Sequence, residues 1–261
     1  MSARALILAG SRGGGRDVLE RAMQVDQKAL LPIRGRPMID WVISALRASP
    51  EISALAISAT PTEALRACVG DIPIVEMGHG PSGSVGRALE IYDTPLLITT
   101  ADHPLLRPEW IREFIAQASG DCDFAIAIAT RAAILRDVPG TKRTFIRLAD
   151  IQFSGCNMFY AATPKAKALV QFWQNIERNR KKPWRLALGI GWPVIWDILR
   201  RRLTTERLAT HIYRLTGATI KFVSINDGRA AVDVDKPSDL ALVEEILTAA
   251  PHLLAFGAMT D

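Results

Sequence analysis

At 261 residues, with nearly half apolar and 23% charged, the chain can bury a substantial core as one large domain or two small ones. Its three cysteines, Cys68, Cys122 and Cys156, form no CxxC pair, which argues against a disulfide framework or zinc site and suits a reducing compartment. The net charge of +5 is uneven: residues 131–202 hold 15 Lys/Arg against 4 Asp/Glu, a balance that attracts nucleic acid, an anionic membrane or a phosphorylated substrate.

In chain order, short apolar runs alternate with helical patterns. Strands are expected at 5–10, 54–58, 73–77, 95–102 and 124–129, and helices at 38–49, 62–70, 84–92 and 108–119. This alternation predicts an α/β fold with a Rossmann-like, mostly parallel sheet and helices on both faces. The pattern loosens from about 130: a loop with one or two short strands, then a strand at 156–162. A helical insertion comes next, near 165–216, with a basic turn at 178–184 and an apolar-basic stretch at 185–203. A strand at 219–225, a strand-turn at 230–237 and a helix at 238–249 close the chain. One domain over 1–250 is expected: a nucleotide half at 1–130, an acceptor half at 131–229, and a closing strand-turn-helix at 230–250. Residues 251–261 read as a tail.

The first strand ends in "LAGSRGGGRD" (8–17), a glycine-rich turn of the kind that holds phosphate on backbone N–H groups. A P-loop needs lysine directly after its last glycine, yet the next lysine is Lys28. A dinucleotide fingerprint needs GxGxxG and an acid about 20 residues on, and neither spacing is present. A dehydrogenase is thereby disfavoured.

Lys28 belongs to a second segment, "QKALLPIRGRPMI" (27–39). Together, Leu8-Ala9-Gly10, Arg12, Lys28, Leu30-Leu31-Pro32 and Gly35-Arg36-Pro37-Met38-Ile39 resemble the signature of the MobA-like and sugar-phosphate nucleotidyltransferases. Ser11 departs from that signature, which usually has a second glycine there, and the spacer to Lys28 is long. The resemblance implies that Leu8, Ala9, Gly10, Ser11, Gly13 and Gly14 cradle a nucleoside triphosphate, with Arg12 and Lys28 neutralising it. Arg16 either assists Arg12 or is simply exposed. The competing reading makes Lys28 a solvated lysine beside a plain turn.

Three further segments extend the resemblance in order. In "HGPSGSVGRAL" (79–89), Gly80, Ser82, Gly83 and Ser84 correspond to the family segment that closes around the nucleobase, and Ser84 equally suits the N-cap of the next helix. In "LLITTADHPLL" (96–106), Asp102 ends a buried strand where the family places a Mg²⁺-binding aspartate; the bland alternative is a turn cap before Pro104. His103 is expected to have at most a supporting role. "AAVDVDKPSDL" (230–240) resembles the family's late turn, with Lys236 in place of threonine. Asp233 and Asp235, two apart on the expected strand, share a face; Asp235 is first choice as the second metal ligand and Asp233 second. Asp239 belongs to the first turn of the last helix.

The resemblance therefore implies a Mg²⁺-dependent enzyme. It would join the NMP unit of an NTP to a phosphorylated sugar, alcohol or cofactor, releasing pyrophosphate, with CTP and GTP both open as donors. Arg12, Lys28 and Asp102 would carry catalysis. In the acceptor half, Lys142, Arg143 and Arg147 are candidates for an acceptor phosphate and Asn157 for an acceptor hydroxyl, against ordinary surface charge. The segment 178–203 carries Trp184, Trp192 and Trp196 among Lys181, Lys182, Arg200, Arg201 and Arg202. It suits a peripheral membrane contact, a lid or a homodimer contact.

Sparse aromatic interleaving ranks nucleic acid last as a partner. No signal peptide precedes the first strand and no run reaches the roughly 18 apolar residues of a spanning helix. The expected location is the cytoplasm, with a place at the inner membrane face left open. Two readings compete: a catalytically weak nucleotide-binding or membrane-surface scaffold of the same fold, and a glycosyltransferase. The second would show a DxD where "ADHP" (101–104) offers only Asp102.

Overall fold

The computed structural model describes residues 2–10, 19, 23, 25–179 and 191–249. Its centre is a mixed sheet of β1 (Ala3–Leu8), β4 (Ile52–Ser58), β5 (Ile74–Val75), β6 (Leu96–Thr100), β7 (Phe124–Thr130), β8 (Ile146–Arg147), β9 (Gln152–Ala161) and β10 (Ile220–Ser224). These lie in the order β10-β7-β9-β6-β1-β4-β5, with β8 paired to β9. A separate hairpin, β2 (Pro32–Ile33) and β3 (Arg36–Pro37), turns at Arg34 and Gly35. Both have positive φ (51° and 79°), the two-residue geometry that matches strand twist.

β1 pairs in parallel with β4 and β6, β4 with β5, and β7 with β10, while β9 runs antiparallel between β6 and β7. The apolar runs at β1 and β6 are buried on both faces, which is why they read as continuous rather than alternating. Their side chains divide between two cores. Ala5, Ile7 and Leu97 meet one core, which is shared by α1 (Met38–Arg47), α2 (Glu63–Val69), α4 (Pro108–Ala118), α5 (Arg131–Asp137) and α9 (Pro237–Ala249). Leu6, Leu96 and Ile98 meet the other, which is shared by α3 (Gly80–Ile91) and α6 (Ala166–Asn179). The remaining described helices are α7 (Trp192–Leu199) and α8 (Thr205–Thr216). Among the described residues, no helix is long and apolar enough to cross a membrane.

Several local expectations need correction. Residues 131–137 are a helix, because the Thr130 hydroxyl caps it by accepting from the Ala133 N–H. β9 starts at Gln152 rather than 156. The supposed strand at 230–237 is a 3₁₀ turn (Gly228–Ala231) followed by a stretch outside the sheet. Gly228 packs so closely on Ala133 and Ile134 that a Cβ would lie 2.4 Å from the Ala133 carbonyl oxygen, which draws the segment across the sheet's end rather than along its edge.

Candidate active site

The site forms where the parallel strands end. Leu8 is in register with Thr100, and the Ala101 N–H donates to the Leu8 carbonyl, so Ala9 and Gly10 leave β1 beside Asp102. The Val234 N–H donates to the Asp102 carbonyl at 2.9 Å, drawing the 232–235 segment across these strand ends. Val232 and Val234 are buried. The Asp239 carboxylate then accepts from the N–H groups of Asp235 and Lys236 at 3.1 and 3.2 Å, which fits its expected place in the first turn of α9 and fixes Asp235.

Lys28 opens a 3₁₀ turn (Lys28–Leu30). Beside it, Gln27 is anchored by its amide donating to the Thr60 carbonyl at 2.7 Å. The Lys28 ammonium lies 2.7 Å from Asp102 Oδ2 and 2.8 Å from Asp235 Oδ1. Three groups distant in sequence thus converge on one point. Burial opposes the charge on Lys28, but Asp102, then Asp235, more than offset this and hold its pKa above the ordinary value.

Asp102 Oδ1 is buried without a hydrogen-bond partner among the described residues. A carboxylate with one orphaned oxygen, whose other oxygen shares the Lys28 ammonium with a second carboxylate, is the donor chemistry a hard cation uses, so Asp102 and Asp235 fit a Mg²⁺ site. Among the described residues no group of three or more His, Cys, Asp or Glu is placed to hold a metal. Phosphate oxygens and water would have to complete the coordination.

Asp233 and Asp235 diverge in their contacts. Asp233 Oδ1 pairs with Arg143 at 2.6 Å, and its Oδ2 accepts from Asn157 Nδ2 at 2.9 Å. Asn157 sits at an irregularity in the β7–β9 ladder with φ 50°, a bulge that re-aims its side chain. Two of the four acceptor candidates, Arg143 and Asn157, are therefore brought together. Lys142 and Arg147 are exposed, and no hydrogen bond or ion pair joins them to Asp233. His103 is fully buried and stacked on Trp110. Burial holds its imidazole at about 4, with Asp233 opposing and Arg143 adding to the shift.

Gly80, Ser82, Gly83 and Ser84 lie in the first turns of α3, whose N-cap is His79. Ser84 is not the cap; its hydroxyl accepts from the Gly78 N–H at 3.1 Å. A Cβ on Gly78 would fall 2.1 Å from the Gly83 carbonyl carbon, so only glycine fits. Sequence reasoning missed Glu177 and Gln174 on α6. Glu177 accepts from the backbone N–H and hydroxyl of Ser82, and Gln174 donates to the Ser82 carbonyl. One polar side of an amphipathic helix carries no signal that distinguishes such a contact from a solvated one. Ser11, Arg12, Gly13, Gly14 and Arg16 lie outside the described residues, as do Lys181, Lys182 and Trp184.

The model of the MobA-like NTP transferase domain matches residues 5–219. The chain belongs to the MobA-like NTP transferase family. A hypothetical transferase from Thermus thermophilus is 28% identical, aligning 92% of this chain and 100% of that one with a TM-score of 0.77. CMP:2-keto-3-deoxy-manno-octonic acid synthetase complexed with CTP, at 13% identity, shares the fold with a TM-score of 0.60 over 95% of this chain and 99% of that one. The bifunctional protein GlmU of Alkalilimnicola ehrlichii is 32% identical over 100 residues, 36% of this chain but only 21% of that protein's length. Nucleotidyl transfer is thus the reaction class of this MobA-like domain. The match stops before Asp233 and Asp235, so their assignment to the site stands on geometry.

Proposed function

We propose that this MobA-like protein joins the NMP unit of an NTP to a phosphorylated acceptor. An acceptor phosphate oxygen attacks the α-phosphorus, the bond to the bridging α–β oxygen breaks, and pyrophosphate leaves with that electron pair. The observation that carries this reading is the convergence of Lys28, Asp102 and Asp235 at the strand ends, beside the end of β1. Such transfer needs positioning and charge neutralisation more than a protein base. Mg²⁺ held by Asp102 and Asp235 would supply further charge neutralisation on the phosphates.

The chain's own groups divide the work. Lys28 presents a cation that its carboxylate partners keep protonated against the opposing effect of burial, ready to be shared with a phosphate oxygen. Backbone N–H groups at the start of α3 would meet the nucleotide, with Glu177 and Gln174 holding the Ser82 turn in shape. Arg143 and Asn157, fixed by Asp233, would receive the acceptor. CTP and GTP are the first donors to test.

The test is a thermal-shift panel of ATP, CTP, GTP, UTP and dTTP, each with and without Mg²⁺. A native-state ligand raises the melting temperature by mass action. One NTP should give a clear shift that Mg²⁺ strengthens, and pyrophosphate should then appear on screening phosphorylated acceptors with that NTP. No shift with any NTP would overturn the proposal.

A further inference from the structure

Helix α7 presents an apolar stripe to solvent. Trp192, Trp196 and Leu199, spaced at i, i+4 and i+7, fall on one helical face and are 68%, 45% and 68% exposed. The same helix is anchored from another side. Val194 is buried, and the Asp197 carboxylate takes Arg207 at 2.8 Å and His211 at 3.2 Å from α8. The outward stripe is therefore held in place rather than left by a loose helix. At its C-terminal end stand three consecutive exposed arginines, Arg200, Arg201 and Arg202, with the Arg200 guanidinium 4.3 Å from the Trp196 ring centroid.

We propose that this face docks on an anionic phospholipid surface. Tryptophan rings favour the headgroup boundary, where an apolar body and a polar N–H are both satisfied. Arginines beside them are drawn to acidic headgroups. A second copy of the chain is the poorer occupant, because a two-fold contact would meet the same apolar stripe and the same arginines, with no acidic side chain among them to pair those charges. The inference does not depend on the reaction proposed above.

The test is co-sedimentation of the full-length protein with vesicles of phosphatidylcholine alone or with about 30 mol % phosphatidylglycerol, at about 0.1 M salt. Binding is expected only to the anionic vesicles, weakening as salt rises. The R200Q/R201N/R202Q variant should bind about a hundredfold more weakly, and W192S/W196S should lose binding. Unchanged circular dichroism would show that both variants are folded. Three results would overturn the proposal: no binding to anionic vesicles, equal binding to both kinds, or no vesicle binding alongside a dimer, seen by sedimentation equilibrium, that W192S/W196S dissociates.

Discussion

Replacing Lys28 with methionine keeps an unbranched side chain one atom shorter and removes the ammonium, its charge and its donors together. In the free protein the ammonium serves two carboxylates of unequal exposure, Asp102 at 22% and Asp235 at 50%. Losing a partner costs the half-exposed Asp235 about 0–1 kcal/mol. Asp102 suffers more, because its second oxygen is already buried and unpartnered; stranding it costs about 1–3 kcal/mol. Methionine relieves the desolvation that opposes the lysine charge, which offsets part of this. The net loss of stability is about 1–2 kcal/mol, a fall of a few degrees in Tm for a chain of this size.

Nucleotide binding should suffer more. A charge-assisted hydrogen bond to phosphate contributes about 1.5–3 kcal/mol, so Lys28→Met should weaken the preferred NTP about ten- to a hundredfold by isothermal titration. The two readouts separate the roles. A variant that loses stability yet binds NTP as tightly as the parent would make Lys28 a structural counter-ion for Asp102 and refute its place on the triphosphate.

Three other changes probe neighbouring parts of the site and fold. Asp102→Asn should abolish the Mg²⁺-dependent part of the NTP thermal shift while leaving the chain folded; an unchanged Mg²⁺ increment would remove Asp102 from the metal site. Gly78→Ala drives a methyl into the backbone of Gly83 and Ser84, so it should cost about 1–3 kcal/mol in denaturant unfolding and reduce the NTP thermal shift; a parent-like shift would detach this turn from nucleotide binding. Asp123 accepts from the Thr163 hydroxyl and from the N–H and hydroxyl of Thr219. Burial acts to raise its pKa, but these bonds outweigh it and hold the carboxyl below the ordinary value. Its contribution is therefore present at neutral pH and lost as pH falls through the carboxylate range. Asp123→Asn should lower stability at pH 7 and flatten the acid limb of a pH–stability profile; an unchanged limb would assign it elsewhere.

The sequence was informative where one physical cause dominated. β1 and β6 are buried on both faces and read as plain apolar runs, and the glycine after the first and the aspartate after the second mark the candidate site at their ends. Reading failed where two causes competed. "AAVDVDKP" (230–237) alternates like a strand, and its valines are indeed buried, but the close packing of Gly228 on α5 takes it off the sheet. The alternation specified which side chains turn inward without specifying what the backbone pairs with.

That distinction also bears on the two aspartates, of which the sequence ranks Asp235 ahead of Asp233 as the second metal ligand. On a strand, Asp233 and Asp235 would have shared one ligand. Lying across the strand ends instead, the segment sends Asp235 to Lys28 and Asp233 to Arg143 and Asn157, so in the proposed transfer neighbouring carboxylates would serve opposite sides. The consequence is testable. Asp233→Asn should leave the Mg²⁺-dependent NTP shift intact while weakening the acceptor, because it loosens Arg143 without touching the Asp102–Lys28–Asp235 cluster. Loss of the Mg²⁺ increment in Asp233→Asn would return Asp233 to the metal and collapse the division between donor and acceptor carboxylates.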